Sequence, residues 1–504
     1  MKKFSTMILL ALAAGAFVSC SDSDDDKAPV VGITSVSVTP AGSAKAYTCV
    51  IDQNTLKIEN TNDSVEWDVM DADLKQATIL ATGTLGTDVY IGTEKVNTMT
   101  SIDVTSAVSL TVKDEKGNSK AYTLNVVKAK TANGADMVNK SSAFQGFPTG
   151  LLDYDMCVFN GKIYAITTSL SGETENYQLF SSEDGVKWNE IDYKTDITGV
   201  KLPEGQKGYV IGGEGARLAV FNGRMYVVGG ARTFGADKYG NPADVSEGWM
   251  GPAKDIPTLQ LFSTADGETF RCDSVGATVK DAKGNTVPFS YMNGTNYNVT
   301  VKDGKMYIKG GFCYGFGMLQ GKRLYAVTTD GKNWEYITPT SDDEDCDVAR
   351  RLADQFFTFN GKLWCLTGFQ YFVGAEDFLR TGVYSSNDGT SWKKEGELTG
   401  MPALYHAKAI VCDNVVYMVG GETVGEDGKT PIVSSKIYRS TDCVNWTEVE
   451  VPGTFLARRN AAGVAFGNVA WIFGGINTPT TGNYGAPLGD TDTPLTDSWL
   501  KLIK

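Results

Sequence analysis

Phe221-Asn222-Gly223-Arg224-Met225-Tyr226-Val227-Val228-Gly229-Gly230 reads as a turn, a strand and a stop. Asn-Gly supplies the positive φ angles of a two-residue hairpin, and apolar residues follow it into a strand. The opening of this segment recurs as Phe159-Asn160-Gly161-Lys162-Ile163-Tyr164, Lys302-Asp303-Gly304-Lys305-Met306-Tyr307 and Phe359-Asn360-Gly361-Lys362-Leu363-Trp364. Two weaker copies end in Tyr417 and Trp471, and further Gly-Gly pairs stand at Gly310-Gly311, Gly420-Gly421 and Gly474-Gly475. A repeat of this size in an all-strand sequence points to a β-propeller, because one blade cannot bury both of its faces alone.

A second repeat is interleaved with the first. Its copies are Ser182-Glu183-Asp184-Gly185-Val186-Lys187-Trp188, Thr264-Ala265-Asp266-Gly267-Glu268-Thr269-Phe270, Thr329-Asp330-Gly331-Lys332-Asn333-Trp334, Ser386-Asn387-Asp388-Gly389-Thr390-Ser391-Trp392 and Ser440-Thr441-Asp442-Cys443-Val444-Asn445-Trp446. Asp accepts hydrogen bonds from nearby backbone N–H groups and Gly tolerates the left-handed conformation, so each copy is a turn. The aromatic residue that follows is placed to pack between neighbouring blades. Each blade then has strands a and b joined by the first turn, and strands c and d joined by the second.

The sixth unit ends early. Residues 497–502 match the c strands, and no d strand follows. An unpaired edge invites aggregation, so residues near 136–142 are expected to supply the missing strand.

Residues 136–504 resemble a six-bladed kelch-type β-propeller, on the strength of the Gly-Gly doublets after strand b. The c–d hairpins are similar to the Asp-box turns of sialidase-like propellers, one residue shorter between Asp and Gly. The whole layout resembles cell-surface lipoproteins of Bacteroides-type bacteria, in which a small β-sandwich precedes a kelch-like propeller. That resemblance implies a fold and leaves the activity open, since propellers host enzymes, binders and scaffolds alike.

Residues 1–19 read as a lipoprotein signal peptide: Lys2-Lys3, an apolar run from Met7 to Val18, then Ser19. Phe17-Val18-Ser19-Cys20 is similar to a bacterial lipobox, which implies lipidation of Cys20 and membrane attachment through that lipid. Residues 20–29 form an acidic tether, and Ser21-Asp22-Ser23-Asp24-Asp25-Asp26 is similar to the address of lipoproteins exported to the outer face of the outer membrane. Residues 30–130 alternate apolar and polar in short runs, as in Ile33-Thr34-Ser35-Val36-Ser37-Val38, and suggest an immunoglobulin-like, cadherin-like β-sandwich acting as a spacer. The formal net charge of −14 argues against nucleic acid as a partner. Of the nine cysteines, Cys157, Cys365 and Cys412 fall within expected strands and read as small buried hydrophobes.

Loop lengths indicate the working face. The a–b and c–d turns are short. The b–c connections (231–258, 312–322, 369–380, 422–435, 476–496) and d–a connections (192–216, 273–297, 338–354) are long, and both kinds emerge on one side. Long loops on a rigid scaffold are where binding concentrates. The candidates on this face are Arg217, Arg232, Phe234, Trp249, Tyr314, Phe316, Arg350, Arg351, Tyr371, Phe372, His406, Arg458 and Arg459. Aromatic rings beside polar groups suit a sugar ring, and arginine offers a planar fork to carboxylates. The expected partner is a glycan or a protein at the cell envelope.

Catalytic readings are narrower. His406 is the only histidine. That removes a copper site of two histidines, as in galactose-oxidase-like kelch propellers, and zinc sites of several. No cofactor motif is read. His406 is either a satisfied structural residue or, with a partner such as Glu422, the acid–base pair of a sugar epimerase or mutarotase. A sialidase-like activity lacks an Arg-Ile-Pro segment near the first strand. The remaining alternative is a structural adaptor of an outer-membrane complex. Asp342-Asp343-Glu344-Asp345-Cys346-Asp347 reads as a solvated acidic loop rather than a calcium site.

Overall fold

The computed structural model describes residues 31–128 except 67, 68, 70, 99 and 100, and residues 137–502 except 142–143, 148–150, 172–173, 197, 199–210, 214, 231–260, 282, 290–293, 314–324, 371–377, 413, 429, 468, 480–494 and 496–497. The chain is all-β. Among the described residues, helix is limited to Asp71–Leu74, a single turn at Val96–Thr98 and a 3-10 residue at Phe289. The chain divides into two compact units. One holds Met1–Thr39, Ser43–Asp63 and Ala77–Val127; the other holds Pro40–Gly42, Ser64–Gln76 and Lys128–Lys504.

The smaller unit contains two sheets. Ile33–Thr39 lies between Tyr47–Thr48 and Thr78–Gly83, and a six-stranded sheet is built around Ser119–Asn125 and Val108–Asp114. Alternation sets the core: Val36, Val38, Ile79, Leu110, Val112, Tyr122 and Leu124 are buried while their strand neighbours face out.

Among the described residues, the larger unit contains, beside two small sheets of three and two strands, six sheets with a shared antiparallel four-strand pattern. Their first strands are Leu151–Phe159, Arg217–Phe221, Gly294–Lys302, Gln355–Phe359, Lys408–Cys412 and Ala462–Phe466. In the first four, a two-residue turn leads to the second strand, and both turn residues have positive φ: Asn160 and Gly161 at 48° and 75°, Asn222 and Gly223 at 47° and 71°. That is the geometry whose twist matches a hairpin. The third and fourth strands are joined by the second repeat. At Ser182 the Oγ accepts the Gly185 N–H at 2.8 Å, and Asp184 Oδ1 accepts the N–H groups of Val186 and Lys187 at 2.8 and 2.7 Å. The same scheme recurs at Thr264/Asp266, Thr328/Asp330, Ser386/Asp388 and Ser440/Asp442. Cys443 takes the glycine position of the fifth copy with φ 63°.

The sixth sheet takes its outer strand from upstream. Met137–Asn139 pairs antiparallel with Ser498–Leu502, in the register Met137↔Lys501, Val138↔Leu500 and Asn139↔Trp499. The segment expected to complete the short last unit is therefore paired with it.

Neighbour relations among the sheets form a closed cycle. Each first strand lies beside the first strand of the next sheet, and Ala462–Phe466 lies beside Leu151–Phe159. A separate apolar cluster fills each junction. Phe270 packs between the first and second sheets, Trp334 between the second and third, Trp392 between the third and fourth, and Trp446 between the fourth and fifth. Met137, Ile437 and Ile472 fill the fifth–sixth junction. Trp188, Trp471 and Phe473 fill the junction of the sixth sheet with the first, where Trp471 and Phe473 stack with centroids 5.7 Å apart.

Outer edges are covered by a device absent from the sequence reading. The chain leaving one sheet runs parallel to the outermost strand of another: Lys194–Asp196 along Thr269–Cys272, Thr278–Lys280 along Asn333–Tyr336, and Thr340–Ser341 along Ser391–Glu397. Single bridges at Gln145↔Lys187 and Thr399↔Asn445 do the same elsewhere. Each satisfies groups that would otherwise template association.

Candidate functional site

The glycine doublets place the loop-bearing end of the larger unit. Gly420 and Gly421 have φ of 59° and 91°, and Gly474 and Gly475 have 45° and 101°. Thr367 and Gly368 occupy the same place in the fourth sheet at 62° and 77°, so Thr367 stands where a glycine was to be expected. The bend brings the second doublet residue against the next sheet. Gly368 N–H donates to Leu404 O at 2.6 Å and Gly421 N–H to Arg458 O at 2.8 Å. At the junction of the last and first sheets a side chain replaces that carbonyl: Gly475 N–H donates to Tyr154 Oη at 2.8 Å, and the hydroxyl donates to Phe473 O at 2.6 Å.

Just before the first strands, three residues share a left-handed backbone: Ala353, His406 and Asn460, at φ 47°, 53° and 51°. They are joined in series, His406 N–H to Ala353 O at 3.3 Å and Asn460 N–H to His406 O at 2.8 Å. His406 is thus held by backbone geometry common to several sheets, and its side chain is the variable part.

That side chain faces Glu422, the residue after the fifth sheet's doublet. His406 Nδ1 lies 3.0 Å from Glu422 Oε2, with 15% of the histidine side chain and none of the glutamate exposed. Arg459 Nε is 3.9 Å from the same oxygen and donates to Thr478 O at 2.8 Å. Backbone bonds between Tyr405 and Glu422, at 3.0 and 2.8 Å, fix the two segments together. The Tyr405 ring meets the imidazole edge-on at 5.1 Å. The result is an imidazole oriented through one nitrogen by a buried carboxylate. Among the described residues, no hydrogen bond to its other nitrogen is found.

A second group lies two residues on. Lys408 Nζ is 3.0 Å from Asp155 Oδ1, and Asp155 Oδ2 accepts the Leu218 N–H at 2.9 Å. Burial works to raise the Asp155 pKa. The charges of Lys408 and Arg217 and the Leu218 N–H outweigh it and hold the carboxyl below the ordinary carboxylate range.

Two wholly inward pairs support this end. Lys309 Nζ lies 2.7 Å from Asp354 Oδ2 with both side chains fully buried, and Asp354 also accepts from Asn298 Nδ2 at 2.8 Å and Cys365 Sγ at 3.2 Å. Asp347 is buried and pairs with Arg351 at 2.6 Å and Arg380 at 2.9 Å. Residues 342–347 are therefore not a uniformly solvated loop. Asp347 turns inward because a cation is there to compensate its burial.

The expected site residues are distributed as follows. Arg217 is half-buried, and its Nη1 donates to Ala216 O at 2.8 Å. Arg350 is exposed. Arg458 is fully buried, with its guanidinium 4.0 Å from the Phe455 ring centroid and donating to Gly474 O at 2.9 Å. It joins two sheets and presents no surface to a ligand. Cys20, Arg232, Phe234, Trp249, Tyr314, Phe316, Tyr371 and Phe372 lie outside the described residues. Cys365 and Cys412 are buried and Cys157 is half-buried.

Lys408, Asp155 and Lys309 were missed by sequence reasoning. A signal existed for Lys309 and for Asp155. Lys309 occupies the strand position held by Val228, Leu366, Val419 and Phe473 in other repeats, and Asp155 interrupts the run Tyr154-Asp155-Met156. A charge at a core position requires a partner.

Among the described residues, no group of three His, Cys, Asp or Glu side chains is arranged to hold a metal ion. No helix among them is long and apolar enough to cross a membrane. No family model matches the sequence, and no curated protein is significantly similar to it.

Proposed function

We propose that this chain is a lipid-anchored binding protein of the cell envelope, tethered through Cys20 and displayed on the outer membrane. In this reading the larger unit is a six-bladed, kelch-like β-propeller, and the smaller one is an immunoglobulin-like sandwich that serves as a spacer. The loop-bearing end of the propeller takes a carbohydrate or a protein partner. The cyclic order of first strands, the six inter-sheet clusters and the Met137–Asn139 pairing support the propeller. The lipobox-like segment and the acidic run support the anchor.

The observation that carries binding is the state of the ionic groups at this end. Asp354, Asp347 and Glu422 are buried and already matched by basic partners. Preorganised polar ends of this kind bind at low entropic cost. Glycan-array binding by the soluble mature chain, with the glycan recovered unchanged, is the expected result. Binding only to a membrane protein from the same envelope, with no glycan signal, contradicts the carbohydrate arm and favours the adaptor. For the anchor, Cys20→Ala is expected to abolish metabolic labelling with palmitate.

A second reading is favoured by one observation. The 3.0 Å contact of His406 Nδ1 with buried Glu422 is an oriented acid–base pair, suited to proton transfer on a sugar. An accelerated approach to anomeric equilibrium, followed by NMR and lost in His406→Gln, would establish that reading in place of simple binding.

A further inference from the structure

We propose that the loop-bearing end selects carbohydrates that carry a carboxylate, such as uronic acid residues, through Lys408. The inference rests on the carbohydrate arm of the proposed function and names its ligand class.

Two of the carboxylates at this end, Asp155 and Glu422, each lie beside two basic groups. Asp155 takes Lys408 at 3.0 Å and lies within the field of Arg217. Glu422 takes His406 at 3.0 Å and Arg459 at 3.9 Å. Exposure is unequal within the pairs: 27% for Lys408 against 9% for Asp155, and 15% for His406 against none for Glu422. The basic side chain is thus the more exposed member of each pair.

The lysine also has capacity. An ammonium carries three N–H groups, and Asp155 is the one partner found for Lys408 among the described residues. His406 gives its Nδ1–H to Glu422, which leaves the other nitrogen of the neutral imidazole an acceptor, so the donor that a carboxylate meets here is the Lys408 ammonium. A neutral sugar edge offers hydroxyls that both give and accept, and it would leave acceptor demand unmet where both carboxylates are already engaged. A carboxylate only accepts, and a charge-assisted bond to an ammonium is about twice as strong as a neutral one. The selection is local, because the chain as a whole carries a formal charge of −14 and repels anions at long range.

The test titrates the mature chain with galacturonate, glucuronate and mannuronate disaccharides and with their methyl esters, by calorimetry. The esters keep the shape and remove the charge. The expected result is binding of at least one free acid, weakened at least about tenfold on esterification, the factor one charge-assisted hydrogen bond is worth. Lys408→Met is expected to erase the difference between acid and ester, and Lys408→Arg to retain part of it while keeping the Asp155 pair. Equal binding of acid and ester by the unaltered chain overturns the inference and leaves carbohydrate binding standing. Binding of neutral glycans alone does the same. Failure of every glycan, acidic or neutral, overturns both.

Discussion

Lys408 Nζ lies 3.0 Å from Asp155 Oδ1 although the residues are 253 positions apart and their strands belong to the fifth and first sheets. The sixth sheet's first strand, Ala462–Phe466, neighbours both. One ion pair thus ties the start of the larger unit to its later part. Removing Asp155 strands the lysine and the Leu218 N–H together, whereas removing Lys408 leaves the carboxylate with Arg217 nearby. Asp155→Ala is expected to cost about 2–4 kcal/mol in urea unfolding and Lys408→Met about 1–2 kcal/mol. Equal losses, or none, would show that the pair contributes nothing specific.

Tyr154 seals the junction of the first and last sheets with a single hydroxyl that both donates and accepts. Tyr154→Phe leaves Gly475 N–H and Phe473 O without that partner in a buried place. A loss of about 1–3 kcal/mol is expected. A variant as stable as the parent would mean that these backbone groups find other partners.

Within the first repeat, the turn glycines and the doublet glycines differ in what surrounds them. A Cβ on Gly421, at φ 91°, would lie 2.8 Å from Ala407 Cβ and 3.0 Å from Tyr405 O; on Gly161, at φ 75°, it would meet nothing within 4 Å. Gly161→Ala should therefore cost only the left-handed backbone term, about 1–2 kcal/mol. Gly421→Ala should cost on the order of 3 kcal/mol or more, since packing must also shift. Thermal melts of the two variants give the comparison, and a reversed order would refute it.

Acid stability follows from the second repeat. Backbone N–H groups of Thr269 and Glu268 and the Thr264 hydroxyl hold the Asp266 carboxyl at about 2. At Asp330 burial acts in the opposite direction, and the N–H groups of Asn333 and Lys332 outweigh it, again to about 2. A folded pKa below the unfolded value of about 3.9 means stability that is fully present above that pH and lost as pH falls towards 2. Asp155 contributes with the same sign. Stability measured from pH 5 to 2 should fall steadily, and Asp330→Asn should flatten the slope. An unchanged slope in that variant would count against the turn as its source.

What could be read from sequence was local. Asn222-Gly223 announces its turn because only certain residues accept positive φ cheaply, and the Gly-Gly pairs announce the bend after the second strand. Thr367 did not, because it takes the same conformation against its own preference, held by the structure around it. The parallel edge segments were also silent. Lys194–Asp196 has no apolar alternation and pairs because Thr269–Cys272 offers an open edge. The expected site was half legible: His406 and Glu422 were named as a pair, while Lys408 and Asp155 meet only once the sheets are in cyclic order. Arg458 reads as a surface cation and is instead buried over Phe455, because its stem and planar head fill a space between sheets.

Met137–Asn139 supplies the outer strand of the sixth sheet by pairing with the final strand, Ser498–Leu502, and so ties the start of the larger unit to its end. Amide hydrogen exchange of the mature chain, read by mass spectrometry, tests this most directly. Peptides spanning 137–139 and 498–502 should show matching slow exchange and should lose it together in denaturant. Exchange of 137–139 within seconds, at the rate of an unpaired linker while 498–502 remains protected, would contradict the account.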